Sequence, residues 1–195
     1  MKTFLAAMAL SLSIVSPALA DCNCMKTSPE EAMRQQREIT LKRLPSEGDR
    51  QLARQFNQQR LPQDAQTYFE SAVKKAAGET EYLHTADIQR EYARFQRKQG
   101  QFGAAAKLLE QAVENEVKAN RPDLNLENEY SQIAALYVLV GDHANAAETY
   151  KRLLAVRETT KGRYSPEAAE AQAAYSQAIK RLSTTGAATA RSDKL

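Results

Sequence analysis

Apolar residues recur every three or four positions along most of this chain, and glycine or proline interrupts the pattern at intervals. This spacing predicts amphipathic helices, and no segment has the strict alternation of a half-buried strand. Ser28, Pro29 and Glu31 form a typical helix start, as do Ser165 and Pro166. The predicted fold class is therefore all-α, with helices at about 28–44, 47–59, 62–77, 80–99, 102–119, 124–140, 142–160 and 166–182.

One pattern of small and large apolar residues occurs three times, at spacings of 40 and 41 residues. In two copies an alanine, Ala93 or Ala134, lies seven residues before a glycine, Gly100 or Gly141. Two antiparallel helices approach closely only where small side chains meet and large ones fill the space beside them. The predicted close contacts are Ala53 with Ala65, Ala93 with Ala105, and Ala134 with Ala146.

The order of alanine, glycine, polar residue, aromatic residue and second alanine resembles the tetratricopeptide repeat (TPR) family. That family usually repeats every 34 residues, so the longer spacing is similar to the long-helix variety of kinesin light chains. The likeness covers about 48–182 and implies a right-handed α-solenoid of about three helix pairs, at about 48–78, 80–120 and 123–161. Helices 28–44 and 166–182 would cap its ends, and the small polar residues of 183–195 predict a disordered tail.

The copies are not identical. Arg60 stands in the first copy where the others have a turn glycine, and Gln96 stands where the others have Phe56 and Tyr137. His143 replaces the aromatic residue seen as Phe102. The first copy departs most, as terminal repeats often do.

Residues 1–20 have the layout of a secretory signal peptide, with Lys2, an apolar stretch over 4–15 and a small-x-small ending at Ala20. The stretch is too short to span a membrane, so cleavage after Ala20 and a periplasmic or secreted protein without a membrane span are predicted. A Gram-negative periplasm is the favoured compartment. Lipidation at Cys22 is an alternative, although Asp21 departs from a bacterial lipobox.

Net charge and the reactive side chains limit the classes of function that the chain could have. Lys and Arg number 27 against 24 Asp and Glu, a balance too even to indicate nucleic acid as the partner. The two histidines, His84 and His143, fall in different helix pairs, without a metal-binding spacing, a phosphate loop or a nucleophile elbow. The sequence therefore predicts a protein that is not an enzyme and holds no cofactor.

Cys22 and Cys24, in the N-terminal segment 21–27, are the only cysteines. They are too close in sequence to staple a core, but in an oxidising compartment they could form a short-loop disulfide. Binding of Cu(I) or Zn(II), or thiol exchange with a partner, is a weaker alternative because a metal site normally needs more ligands.

The resemblance implies that the first helix of each pair lines a concave groove for a protein or peptide partner. In helix 80–99, three arginines are spaced i, i+4, i+7 and share one face, with an aspartate a turn before them. The alternative is that they form a solvated face, paired with Glu91 and neighbouring acids. The candidate groove residues, with the matching positions of the next first helix, are Asp87, Arg90, Arg94, Arg97, Asn128 and Ser131.

These observations favour an exported, non-enzymatic adaptor that holds a partner segment in the groove of a TPR-like array. The alternative is a redox or metal-handling protein that acts through Cys22 and Cys24, with the repeats as its docking platform.

Overall fold

A computed structural model describes residues 28–42, 44–121 and 125–192. These residues form helices and connecting turns without a β-strand, so the all-α prediction is confirmed. The helices are α1 (Pro29–Lys42), α2 (Pro45–Gln58), α3 (Pro62–Ala76), α4 (Tyr82–Lys98), α5 (Phe102–Lys118), α6 (Leu126–Leu139), α7 (His143–Lys161) and α8 (Pro166–Ser192). The predicted signal peptide and the segment with Cys22 and Cys24 lie outside the described residues.

The chain divides into two compact units, Met1–Ile39 and Thr40–Leu195. In the first unit, the start of α1 is closed by the predicted capping box. The Glu31 N–H donates to Ser28 Oγ over 3.2 Å, and the Ser28 N–H donates to Glu31 Oε2 over 2.9 Å. This exchange satisfies backbone donors that a helix start leaves without partners.

The second unit is a row of helices in which each packs against the next one in sequence. The most extensive packing is between α2 and α3, α4 and α5, and α7 and α8, followed by α6 and α7. Short turns join the members of each pair, so the two helices are antiparallel. This arrangement is a TPR-like helical-repeat solenoid, as predicted.

The turns inside the three pairs have the same geometry. Gly100 and Gly141 have φ angles of 77° and 74°, and Arg60 takes the same left-handed conformation with φ 60°. A non-glycine residue there costs about 1–2 kcal/mol, so the first turn keeps the repeat's geometry despite its sequence. The three turns share an equivalent backbone hydrogen bond. The N–H groups of Leu61, Gln101 and Asp142 donate to the carbonyl oxygens of Phe56, Gln96 and Tyr137, at 3.0, 2.9 and 3.0 Å respectively.

The six alanines predicted at the helix contacts have no exposed surface. Each is 0% accessible, as the predicted close contacts of the helices require. Large apolar residues beside them complete the core, and those nearly or fully buried include Phe69, Leu109, Val113, Ile133 and Tyr137.

Consecutive pairs are joined by aromatic packing and by tyrosine hydroxyls. The Phe69 ring of α3 lies 5.3 Å from both the Tyr92 and the Phe95 rings of α4, centroid to centroid. The Tyr92 hydroxyl donates to Glu70 of α3 over 3.1 Å, and burial, together with Glu70, raises the pKa of Tyr92 to about 12. In the next pair, the Tyr137 hydroxyl donates to Glu110 of α5 over 2.7 Å.

Gln96 occupies the position of Tyr137 in its own copy and is also buried. Its Nε2 donates to the Tyr92 hydroxyl over 2.8 Å, while its Oε1 has no hydrogen-bond partner among the described residues. The substitution therefore places a polar side chain in the core and satisfies only its donor end.

The last helix is longer than predicted. α8 continues to Ser192, whereas its end was predicted at 182 and a disordered tail over 183–195. The segment contains no proline, and a glycine within a helix costs only about 1 kcal/mol relative to alanine. Neither the small residues nor Gly186 is therefore a sufficient stop signal.

Replacing Ala105 or Ala146 with leucine should destabilise the repeat unit by about 1–3 kcal/mol, because both sites are fully buried at a close helix contact. Urea unfolding followed by circular dichroism measures the change. Ala104→Leu is the matched control, since Ala104 is exposed on the same helix. Equal stability of all three variants would contradict the close-contact assignment.

Candidate interaction surface

A polar pocket opens at the start of α6. Its volume is about 400 Å³, and it is lined by Asn125, Glu127, Asn128, Ser131 and Arg157. Asn125 begins the helix, since its Oδ1 accepts the Asn128 N–H over 3.1 Å. The side chains of Asn128 and Ser131 make no hydrogen bond within the described part of the chain, so their donors and acceptors are available to a ligand. The structure thus brings these two predicted residues together.

Arg157 of α7 forms a wall of the pocket and is largely buried. Its Nε donates to Glu127 Oε1 over 3.1 Å, and its Nη1 donates to Glu170 Oε2 and to the Glu167 carbonyl, at 2.9 and 2.8 Å. One guanidinium thus faces two carboxylates. The pocket therefore has no excess positive charge.

The pocket's other members were not predicted from the sequence. Arg157 lies on a second helix, thirty residues from Glu127, and is brought there only by the packing of α6, α7 and α8. An arginine in the middle of an amphipathic helix resembles any solvated residue, so the sequence held no signal for it. Glu127, next to Asn128, could have been included on position alone.

The predicted arginine face of α4 is divided between two roles. Arg90 contacts Glu116 of α5, which is fully buried, and its Nη1 donates to Glu129 of α6 over 3.0 Å. Its pKa is raised: burial acts to lower it, but the hydrogen bonds from the guanidinium to these two carboxylates outweigh burial. Arg90 is therefore committed to internal ion pairs.

Arg94 and Arg97 are exposed and make no hydrogen bond or ion pair with the described residues. Asp87 is exposed as well and acts on Arg54 and His84 only through its charge. Of the predicted α4 residues, these three remain open to a partner. They lie on the same helix, and none of them lines the pocket that contains Asn128 and Ser131.

Glu91 does not pair with these arginines, in contrast to the alternative interpretation of the sequence. It accepts from Arg50 Nε over 2.8 Å and from Arg54 Nε over 2.6 Å, both on α2. Burial acts to raise the pKa of Glu91, but the hydrogen bonds from Arg54 and Arg50 outweigh it and hold the pKa below its ordinary value. Neighbouring first helices are thus joined by ion pairs.

His84 belongs to a buried polar cluster between α2, α4 and the α3–α4 connection. The Ser46 hydroxyl donates to Glu79 Oε2 over 2.7 Å, and His84 Nε2 lies 3.1 Å from the same Ser46 oxygen. Because serine has one hydroxyl proton, the imidazole must donate here. Ser46 is fully buried and gives its proton to a carboxylate, so this serine and histidine are not arranged as a nucleophile and its base.

No other constellation of reactive groups stands out. Within 28–42, 44–121 and 125–192, no three His, Cys, Asp or Glu side chains come together in a way that could hold a metal ion. Among the same residues, no helix is long and apolar enough to cross a membrane. Cys22 and Cys24 lie outside this part of the chain.

Comparison with known proteins gives the following result. No family model matches the chain, and no curated protein matches it. Solved structures that resemble it include those of a Podosopora anserina kinesin light chain, whose own TPR-like repeats are nearly identical to one another. A single-residue variant is 23% identical over 84% of this chain and 82% of that chain, with a TM-score of 0.48. A second structure of these repeats is 25% identical over 74% and 75%, with a TM-score of 0.37.

The class of the protein follows from its helices. Three antiparallel pairs with the same turns, the same buried alanines and sequential packing define a TPR-like helical-repeat protein.

Replacing Arg90 with methionine should lower the free energy of unfolding. Breaking a buried ion pair typically costs about 3–5 kcal/mol, and the loss should be somewhat smaller here because Arg121 still contacts Glu116 over 2.5 Å. Arg94→Met, one turn away and exposed, should change the free energy of unfolding by no more than about 0.5 kcal/mol. Urea denaturation of both variants tests the division of the arginine face. Equal effects would refute it.

The cluster around His84 predicts a loss of stability in mild acid. Burial lowers the pKa of His84 below 6.5 and outweighs the opposing charges of Glu47, Glu79 and Asp87, while Arg50 lowers the pKa further. The unfolded chain therefore binds a proton first, and stability should fall as the pH drops below about 6.5. Urea unfolding at pH 7.5 and 5.5 should show a smaller decrease for His84→Gln than for the wild type. Identical decreases would contradict this.

Proposed function

We propose that this chain is an exported, non-enzymatic interaction protein that binds an extended segment of a protein partner. The pocket of Asn125, Glu127, Asn128, Ser131 and Arg157 is the observation on which the proposal rests. An asparagine side chain has one carbonyl acceptor and an amide donor, the same pair of groups that each peptide unit presents. Asn128 and Ser131 can therefore bind the main chain of a partner without regard to its exact sequence.

The fold supports an interaction role. Repeat solenoids present extended surfaces to which partners bind, and the charges of Arg157, Glu127 and Glu170 hold α6, α7 and α8 together around the pocket. A pocket on a pre-formed scaffold loses little entropy when it binds a ligand. Arg94 and Arg97 would add an anionic preference only for a partner long enough to reach along α4.

Export is proposed because of the layout of the first twenty residues. The absence of an enzymatic role is proposed because of the chemistry of the described residues. Ser46 and His84 are in contact but buried, and Ser46 donates its proton to Glu79 while His84 donates to Ser46. A location in the periplasm of a Gram-negative cell would suit such an adaptor. A redox or metal-handling role through Cys22 and Cys24 has no observation among the described residues that favours it.

The test is affinity capture from the native envelope fraction with the wild type and with an Asn128→Ala, Ser131→Ala variant. Each lost hydrogen bond contributes about 0.5–1.5 kcal/mol, so capture of the genuine partner should fall about tenfold. Gln66→Ala is the matched control, because Gln66 is an exposed amide side chain on the second helix α3.

Quantitative mass spectrometry of the captured proteins gives the ratio between variants. The proposal fails if every captured protein is retained equally by the pocket variant, with helicity unchanged by circular dichroism. A partner lost only with a Cys22→Ser, Cys24→Ser variant would favour the redox or metal-handling alternative.

A further inference from the structure

Helix α8 has the place of a first helix in the row, but the described residues contain no second helix that follows it. The first helices α4 and α6 each pack against the helix before and the helix after them, whereas α8 packs extensively only on α7. One of the two packing faces of α8 is therefore left uncovered. Helix α4, which is covered on both sides, shows where that face lies.

One face of α8 matches the face of α4 that contacts the preceding helix. The α4 residues that contact α3 are Thr85, Ile88, Tyr92 and Phe95. The buried or half-buried residues of α8 with the same spacing are Ala168, Ala171, Tyr175 and Ala178. A shift of 83 residues, from Thr85 to Ala168, brings the two sets into register. Three alanines in this face also let α8 pack more extensively on α7 than α4 packs on α3.

The same shift identifies the uncovered face of α8. In α4, the residues on the face toward α5 are at most 6% accessible, and they are Ala86, Gln89, Ala93 and Gln96. That face receives α5, since Gln89 accepts a hydrogen bond from Asn115 over 2.9 Å. The corresponding residues of α8, which we call its open face, are all exposed, and they are Ala169, Gln172, Ser176 and Ile179. Helix α8 thus keeps two small residues and a glutamine at the positions where α4 packs on its second helix.

Helix α1 begins like a second helix. Ala32 lies three residues after Pro29, as the contact alanine Ala65 lies three residues after Pro62 at the start of α3. In the chain, α1 comes directly before the first helix α2, as a second helix comes before each later first helix. No described helix precedes α1, so it lacks a first helix with which to pair.

Two exposed apolar residues of α1 lie at positions that are buried in the later second helices. Met33 is 66% accessible and Ile39 is 47% accessible. When Ala32 is matched to the contact alanines of α5 and α7, the counterparts of Met33 and Ile39 are all buried. They are Ala106 and Ala112 of α5, and Ala147 and Leu153 of α7.

We propose that α1 of one molecule packs on the open face of α8 of a second molecule and so completes a fourth helix pair. The contact continues the packing of first on second helices that forms the row. It joins two different surfaces, so the molecules associate head to tail rather than as a twofold dimer. Because Gln36 lies between Met33 and Ile39, α1 is less apolar than α5, and the association should be weak and concentration-dependent.

The two helices are complementary in an antiparallel arrangement. With Ser176 as the close contact of the pair, Ile39 of α1 lies over the small residue Ala169, seven residues away on each helix. Glu30, in the acidic first turn of α1, then lies near Lys180 at the other end of the open face. Opposite charges at this end favour the antiparallel direction of α1.

Sedimentation velocity of the purified protein over a range of concentrations tests this association. The wild type should form dimers and longer species as its concentration rises. In α1, Met33→Glu, Ile39→Glu should weaken association at least about tenfold, because a charge buried without a partner is costly. In α8, Ser176→Glu, Ile179→Glu should do the same. All four positions are exposed, so helicity by circular dichroism should not change.

A mixture of these two variants distinguishes head-to-tail packing from a symmetric contact. The α1 variant keeps an intact α8, and the α8 variant keeps an intact α1, so the mixture should form one-to-one dimers and nothing longer. The matched control is Ala173→Glu, Gln177→Glu, which adds the same charge at exposed positions of α8 outside the open face. It should change association less than about twofold.

The inference is overturned if the wild type stays monomeric up to about 1 mM, if either variant associates like the wild type, or if the mixture forms no dimer. The open face of α8 is distinct from the pocket around Asn128, and its role does not rest on the function proposed for that pocket. The Asn128→Ala, Ser131→Ala variant should therefore associate like the wild type. Loss of association with partner capture intact would separate the two surfaces.

Discussion

The structure depends on the close approach of two helices at pairs of buried alanines. Ala93 and Ala105 have no accessible surface, and neither do their counterparts in the other copies. Because so little side chain separates the backbones, the large residues on either side must fit a fixed distance, and each pair presents a defined apolar face to the next pair. The turns at Arg60, Gly100 and Gly141 then only need to reverse the chain.

That constraint explains which features could be predicted from the sequence. The six alanines and the turn glycines recur at a fixed period, so the helix pairs could be predicted without knowledge of any contact. Arg60 has a positive φ angle like the two glycines, although its residue type does not indicate one. The end of α8 was missed for a related reason, because composition alone did not distinguish a continuing helix from a disordered tail.

The polar sites were harder to predict because their members come from different helices. Asn128 and Ser131 could be placed on a first-helix face by periodicity, but Arg157 joins them only through the packing of α7. The arginines of α4 share a face, as predicted, yet Arg90 finds Glu116 and Glu129 while Arg94 finds no partner among the described residues. Helical spacing predicts which face of a helix a side chain lies on, but it does not predict which residue of another helix that side chain will contact.

Ion pairs between first helices add a second level of organisation to the alanine contacts. Apolar packing alone tolerates small shifts along a helix, whereas the bonds of Glu91 with Arg50 and Arg54 fix the height of α2 against α4. The bonds of Arg157 do the same for α6 and α8. Because Glu91 and Arg157 each bind two partners, a shift of one of these helices along its neighbour would break bonds that the alanine contacts alone do not make.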